Sequence, residues 1–221
     1  MRNIQICSVM ALYGLLAAQP AFAEAGDILL KGRAIYVMPK NSLVDIPVGL
    51  GNGPVSVKDA IGAEFSATYL WSDQVGIEFA LGGGKTSFPT ADSAAARGEL
   101  LSASGVMPSV IVQFHPMPKA AVRPYIGIGV NYTLFYDEKP GAILLNNTLN
   151  SKSDLAVQVE GKFGVVGQFG IDIPIDGKTF FNIDVKYVKS STTLSIKNSK
   201  FNFVDVSIDP FIFGVGLGFR F

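Results

Sequence analysis

The sequence predicts an all-β fold, an eight-stranded antiparallel transmembrane β-barrel. Three features point to it: apolar side chains recur at every second residue in about eight segments, short and long connections alternate between those segments, and mean hydropathy is positive (+0.35) without any apolar run of helix-spanning length. The clearest segment is the last, Phe211 to Phe221, with bulky apolar residues at odd positions and Ile, Gly or Arg between them. A water-exposed edge strand this apolar would aggregate, whereas in a closed barrel in lipid the apolar face has a solvent and no edge remains.

The other end of the chain agrees. Arg2 places a positive charge ahead of an apolar stretch from Val9 to Ala18, and Ala21-Phe22-Ala23 fits a small-x-small cleavage rule, so residues 1–23 read as a secretory signal peptide and 24–221 as the barrel. The apolar stretch is too short to span a bilayer as a helix. A Gram-negative outer-membrane destination follows. Cys7 falls inside the removed segment and lacks the small preceding residue of a lipoprotein site, so neither a disulfide nor a thiol nucleophile is expected in the mature chain. Loss of Arg2 leaves 17 basic against 18 acidic residues. With that balance and no basic cluster, nucleic acid is not an expected partner.

The first strand runs from about Asp27 to Met38, with Ile28, Leu30, Ala34, Tyr36 and Met38 on the lipid face and Lys31 and Arg33 on the other. Pro39 ends it, and a long Gly- and Pro-rich loop follows. The second strand alternates Ile61, Ala63, Phe65, Ala67 and Tyr69 with Gly62, Glu64, Ser66 and Thr68; Ser72-Asp73-Gln74 is a tight turn. The third sets Val75, Ile77, Phe79 and Leu81 outward against Glu78, and a long loop is expected from Gly82 to about Gly105. A short fourth strand carries Val110, Val112 and Phe114, and a turn containing His115, Pro116 and Pro118 leads to the fifth, Ile126 to Tyr136. A polar loop around Asn146-Asn147 precedes the sixth, Phe163 to Ile173. After a turn from Pro174 to Lys178 the seventh places Phe181, Ile183, Val185 and Tyr187 outward, and the eighth starts near Asp205. Tight turns belong on the periplasmic side and long loops outside.

Several of these segments resemble one known family. Arg123-Pro124-Tyr125-Ile126-Gly127-Ile128-Gly129-Val130-Asn131-Tyr132-Thr133, Gly164-Val165-Val166-Gly167-Gln168-Phe169-Gly170-Ile171-Asp172, Asp73-Gln74-Val75-Gly76-Ile77-Glu78, and Asp209-Pro210 before a terminal Gly218-Phe219-Arg220-Phe221 together resemble the OmpW family of small outer-membrane barrels. The resemblance implies an eight-stranded barrel through which small hydrophobic molecules pass the outer membrane without chemistry. The alternative is a barrel with no transport role that acts through its loops, in adhesion, stress tolerance or as a phage or toxin receptor.

The lumen can be assigned from strand parity alone. An eight-stranded barrel holds its own side chains or one small ligand, so a wide aqueous pore is excluded. Inward positions toward the outside are Ile35, Val37, Met107, Ile111, Phe135, Val188, Ile208 and Ile212, an apolar ligand path. Below them come Lys31, Arg33, Glu78, Asp172, Asp184, Lys186 and Arg220, with Glu64 and Lys162 nearer the middle, a charged plug. Enclosed charges are tolerated only when paired and hydrogen-bonded, so the plug reads first as structural salt bridges and second as a gate for polar solutes.

No catalytic, cofactor or metal site is expected. The lone histidine, His115, reads as a turn residue away from any Ser or carboxylate partner. Carboxylates Glu64, Glu78 and Asp184 each have basic neighbours rather than an acid/base arrangement, and there is no His or Cys cluster for a metal. Gly82-Gly83-Gly84-Lys85-Thr86 resembles a phosphate loop only superficially and reads as a flexible loop. Tyr36, Trp71, Tyr132, Tyr136 and Tyr187 are expected as headgroup-level girdle residues. Pro39, Pro108 and Pro210 stand out because proline removes a ladder hydrogen bond; Pro210 is expected inside the last strand, where it either weakens the seam with the first and lets a hydrophobic solute leave sideways into the lipid or is a bulge that shapes the rim. Phe221 and Phe219 are the assembly signal, and the expected partners are outer-membrane lipid and lipopolysaccharide, the barrel-insertion machinery and small hydrophobic solutes.

Overall fold

The computed structural model describes residues 24–40, 43–45, 54–56, 58–89, 99–140, 157–159, 161–196, 204–207 and 209–221. The signal-peptide segment 1–23, the Asn146-Asn147 loop, Ile208 and the side chain of Lys162 lie outside what is described. Twelve strands follow in order: β1 (Ile28–Met38), β2 (Leu43–Asp45), β3 (Pro54–Ser56), β4 (Ala60–Leu70), β5 (Val75–Pro89), β6 (Glu99–Phe114), β7 (Arg123–Pro140), β8 (Val157–Val159), β9 (Lys162–Pro174), β10 (Thr179–Ile196), β11 (Val204–Ser207) and β12 (Phe211–Arg220). Eight of them, β1, β4, β5, β6, β7, β9, β10 and β12, pair antiparallel with their neighbours, and β12 returns to β1, so the sheet closes on itself as an eight-stranded barrel. The closing seam runs from Leu29↔Arg220 to Met38↔Phe211, and Ile28 and Phe221 exchange a pair of backbone hydrogen bonds at its end (3.0 and 2.9 Å).

Parity along the strands is what the closed sheet requires. On β1, Ile28, Leu30, Ala34, Tyr36 and Met38 are exposed on the outer wall while Leu29, Lys31, Arg33 and Ile35 are buried inside. Phe65, Phe79, Ile128 and Phe163, each more than half exposed, continue the lipid face around the barrel. Three short connections share one end with Glu24 and Phe221. In the third of them the Asp176 carboxylate accepts the backbone N–H groups of Lys178 and Thr179 (2.8 and 2.7 Å), which sets the β9–β10 turn.

At the opposite end the strands run further than the apolar alternation indicates. The expected loop from Gly82 to Gly105 is instead the paired continuation of β5 and β6, from Gly82↔Met107 to Phe88↔Leu101, so Gly82-Gly83-Gly84-Lys85-Thr86 is strand rather than flexible loop. β7 and β10 likewise continue to Pro140 and Ile196. Beyond the bilayer both faces of a strand meet water or loops, so the period-two signal fades while backbone pairing continues. Glycine also permits close contact: a Cβ on Gly62 would stand 1.9 Å from the Gly83 carbonyl oxygen across the β4–β5 ladder.

The expected weakening at Pro210 is not where the structure puts it. Pro210 precedes β12, next to Asp209 in the left-handed region (φ 36°), and its carbonyl accepts the Val188 N–H (3.0 Å), while pairing with β1 begins only at Phe211. The missing N–H of Pro210 therefore lies outside the closing ladder. Pro108 is different: β6–β7 pairing passes from Val106↔Leu134 to Ser109↔Asn131, with Met107 and Pro108 left out of the ladder.

Because Phe221 supplies both last hydrogen bonds of the closing seam, its deletion is expected to reduce the folded, heat-modifiable band in outer membranes. Unchanged membrane levels of the deletion variant would contradict that expectation.

Candidate functional site

Inside the barrel the side chains stack in layers set by register. Lys31 and Arg33 on β1 face Ser66 and Glu64 on β4, Thr68 brings in Glu78 on β5, and Asp184 and Lys186 on β10 close the circle from the other side. All six charged side chains are buried, none more than 4% exposed as a residue. Arg33 is the hub: its guanidinium reaches Glu78 Oε2 at 2.9 Å, Asp184 Oδ1 at 3.1 Å and Glu64 Oε1 at 3.3 Å. Lys186 Nζ bridges Glu64 (2.6 Å) and Asp184 (2.9 Å), and Lys31 Nζ stands 3.6 Å from Glu78, 3.9 Å from Asp172 and 4.4 Å above the Tyr125 ring.

Neutral donors complete the network. Gln168 Nε2 donates to Asp184 Oδ2 (2.7 Å) and Glu78 Oε1 (3.0 Å), Gln113 Nε2 donates to Gln168 Oε1 (2.9 Å), the Tyr125 hydroxyl donates to Asp184 (3.1 Å), and Asn182 Nδ2 donates to Asp172 (2.6 Å). Four carboxylates thus face three cations in a region closed to water. Charges so enclosed persist because each has an opposite charge within 3.9 Å, although Lys31 Nζ, Arg33 Nε and Arg33 Nη1 have no hydrogen-bond acceptor among the described residues, and the arrangement is strongly destabilised when one partner goes.

The structure corrects two placements. Arg220 is not in the plug: it sits half-buried at the periplasmic edge, 3.4 Å from Asp27, with a further hydrogen bond to the Gly177 carbonyl. His115 is not an ordinary turn residue. It follows β6 at an inward position, is 4% exposed and rests on the Tyr125 ring with centroids 5.3 Å apart. Tyr125, Gln113, Gln168 and Asn182 were not singled out from the sequence. The available signal was parity, since Ile126 and Ile128 face lipid and put Tyr125 inside, and Gly170 opposite it is the space the ring fills: a Cβ there would lie 2.2 Å from Tyr125 Cζ.

Above the plug, Ile35, Ile111, Val166, Val188 and Ile212 pack together, each at most 3% exposed, with Val37 and Met107 against them. Phe135 is half-buried further up β7. These side chains fill the lumen at this level. On the outside, an apolar groove of about 900 Å³ crosses the lipid-facing wall at mid-height, bordered by Leu30, Phe65, Leu81, Pro108, Tyr132 and Phe163 among others. It passes directly over the interrupted β6–β7 ladder.

Glu78→Ala is expected to lower the urea midpoint in lipid vesicles by the equivalent of about 3–5 kcal/mol, the cost of taking the nearest carboxylate from both Arg33 and Lys31, while Glu24→Ala on the exposed N-terminal segment leaves it unchanged. Equal midpoints would mean that the lumen is wet and its charges independently solvated.

Acid should also act through His115. Burial pushes its imidazole from the ordinary 6.5 down to about 3, with the Lys31 ammonium adding to the effect. Between those values the unfolded chain binds a proton that the folded one refuses, so stability falls as pH drops through that window. His115→Phe is expected to flatten the slope of urea midpoint against pH between about 6.5 and 4; an unchanged slope would show that the imidazole is solvated.

Comparison with known proteins agrees with this architecture. The OmpW family model matches residues 24–221. Outer membrane protein W of Salmonella typhi is 28% identical over 216 residues, covering 97% of both chains, and outer membrane protein AlkL of Ectopseudomonas oleovorans is 24% identical over 210 residues, covering 92% of this chain and 86% of that one. The crystal structure of OprG from Pseudomonas aeruginosa superposes with a TM-score of 0.78 at 26% identity, covering 91% of this chain and 99% of OprG. An eight-stranded outer-membrane barrel matched by the family model from Glu24 to its last residue, the chain belongs to the OmpW family.

Proposed function

We propose that the barrel is a passive passage for small hydrophobic molecules, which enter its apolar upper lumen from outside and leave sideways through the wall at Pro108 rather than down the axis. One observation carries this reading: the β6–β7 ladder is interrupted at Met107 and Pro108, beside the apolar cluster and above the charged plug. Met107 faces the lumen and packs on that cluster, while Pro108 borders the outer groove, so an apolar lining lies on both sides of the break.

The energetics favour the same route. A solute with about 200 Å² of apolar surface gains about 5 kcal/mol from leaving water, and it would forfeit that on passing through ion-paired side chains. Exit into lipid forfeits nothing. The wall is also weakest at this point, since proline brings no N–H to a ladder whose backbone groups have no water to turn to. A lumen filled at Ile35, Ile111 and Ile212 is equally what a barrel acting only through its loops would have, and transport measurements separate the two readings.

In liposomes carrying the protein, labelled apolar solutes are expected to enter faster than in empty ones. Ile35→Asp and Pro108→Val should each depress that entry about tenfold, the first by charging the apolar cluster beside the interrupted ladder and the second by restoring the missing ladder donor, with folding retained. The double variant Lys31→Gln/Glu78→Gln should leave entry nearly unchanged. Loss of entry in the double variant with no effect of the other two would establish an axial route; no acceleration by the unaltered protein would favour the loop-acting barrel.

A further inference from the structure

We propose that the carboxamide of Asn131, on the lumen side of the interrupted ladder, is a binding point for a hydroxyl group, so that the solutes this barrel favours are apolar molecules carrying one alcohol function rather than plain hydrocarbons. The inference rests on the passage proposed above and adds its substrate class. Register places the residue at the break. β6–β7 pairing holds at Ser109↔Asn131 and resumes only at Val106↔Leu134, so the ladder is lost at Tyr132 and Thr133, directly above Asn131. Val130 before it is exposed on the lipid face, whereas Asn131 is 2% exposed and points into the barrel.

The surroundings of this amide are aliphatic. Ile111 lies two residues from Ser109 on β6, and Val166 lies two residues from Gly164, the partner of Asn131 on β9; both belong to the cluster that fills the lumen, so the amide stands one inward position above it. Its two polar atoms are treated unequally. Nδ2 donates to Thr133 Oγ1 at 3.1 Å, while Oδ1 is enclosed with no hydrogen-bond partner among the described residues. Two other enclosed amide oxygens lack donors, Gln113 Oε1 and Asn182 Oδ1, but they lie in the charged layer, where Lys31 Nζ and Arg33 Nε are donors with hydrogen bonds still to give. Asn131 is separated from those donors by the level of Ile111 and Val166.

A buried carbonyl without a donor is a standing cost, and neither the aliphatic cluster nor the lipid outside can relieve it. A solute that brings an O–H does. The choice among head groups follows from charge and from hydrogen-bonding capacity. A carboxylate would set its negative oxygens against Oδ1, and an ammonium would be stranded among Ile and Val side chains without a counter-charge. An ether accepts hydrogen bonds but gives none, and a hydrocarbon leaves Oδ1 as it was. An alcohol donates to Oδ1 while its chain packs on Ile111, Val166 and Met107, which ask for nothing polar.

The test follows the side-chain amide resonance of Asn131, assigned through the backbone of β7, in the unaltered barrel in lipid nanodiscs. 1-Decanol should shift it saturably, and n-decane or nonyl methyl ether at the same mole fraction in the lipid should leave it in place. In liposomes the barrel should accelerate decanol entry about tenfold more than decane entry, the discrimination expected when one buried acceptor is met or left unmet. Asn131→Leu, its folding confirmed by heat-modifiability, should bring that ratio to about one while decane entry persists. No acceleration of either solute, with decanol still shifting the amide, would defeat the passage and leave this binding point standing. An amide resonance that no probe moves or that all three move alike, or a decanol preference that survives Asn131→Leu, would overturn the inference itself.

Discussion

Everything in this structure depends on the absence of a hydrogen-bonding solvent at the outer wall. In lipid, a backbone N–H or C=O without a partner costs several kcal/mol, so the sheet has to close, and β12 has to find β1. That closure fixes the inside and outside of every strand at once. Phe65, Phe79 and Phe163 are then free to face hydrocarbon, and Lys31, Arg33 and Glu78 have nowhere to go but the lumen.

Eight strands leave a lumen so narrow that side chains must fill it. The filling has two chemistries, and their order along the axis matters more than either alone. The charged layer is held by its own ion pairs: Arg33 contacts three carboxylates, and Gln168 ties Glu78 on β5 to Asp184 on β10 across the barrel. The aliphatic layer above it has no polar demands, and there the wall can tolerate an irregularity. Pro108 interrupts the β6–β7 ladder beside that apolar layer.

Much of this was legible in the sequence because a period of two is simple to follow from Ile28 to Met38 or from Phe211 to Phe219. The lumen-facing Ile35, Val188 and Asp184 follow from the same count. Three things were not legible. The extension of β5 and β6 past Gly82 leaves no alternation because, outside the bilayer, Lys85 is as acceptable facing out as any apolar residue. The choice between Pro108 and Pro210 depends on which proline falls within a ladder, and register decides that: Pro210 precedes β12 by one residue. The burial of His115 depends on Tyr125, whose ring enters the lumen over the space left by Gly170, a pairing between strands 45 residues apart in the chain.

Lateral release can be followed residue by residue through paramagnetic broadening of backbone amide resonances by a spin-labelled apolar solute, with the protein in lipid nanodiscs. If hydrophobic molecules leave through the wall, the amides of Val106, Met107 and Ser109 and of residues 131–134, on either side of the interrupted ladder, broaden first, while those of Lys31, Arg33, Asp184 and Lys186 stay sharp. Broadening that instead runs through the charged layer to Gln113 and Asp172 would contradict release through the wall.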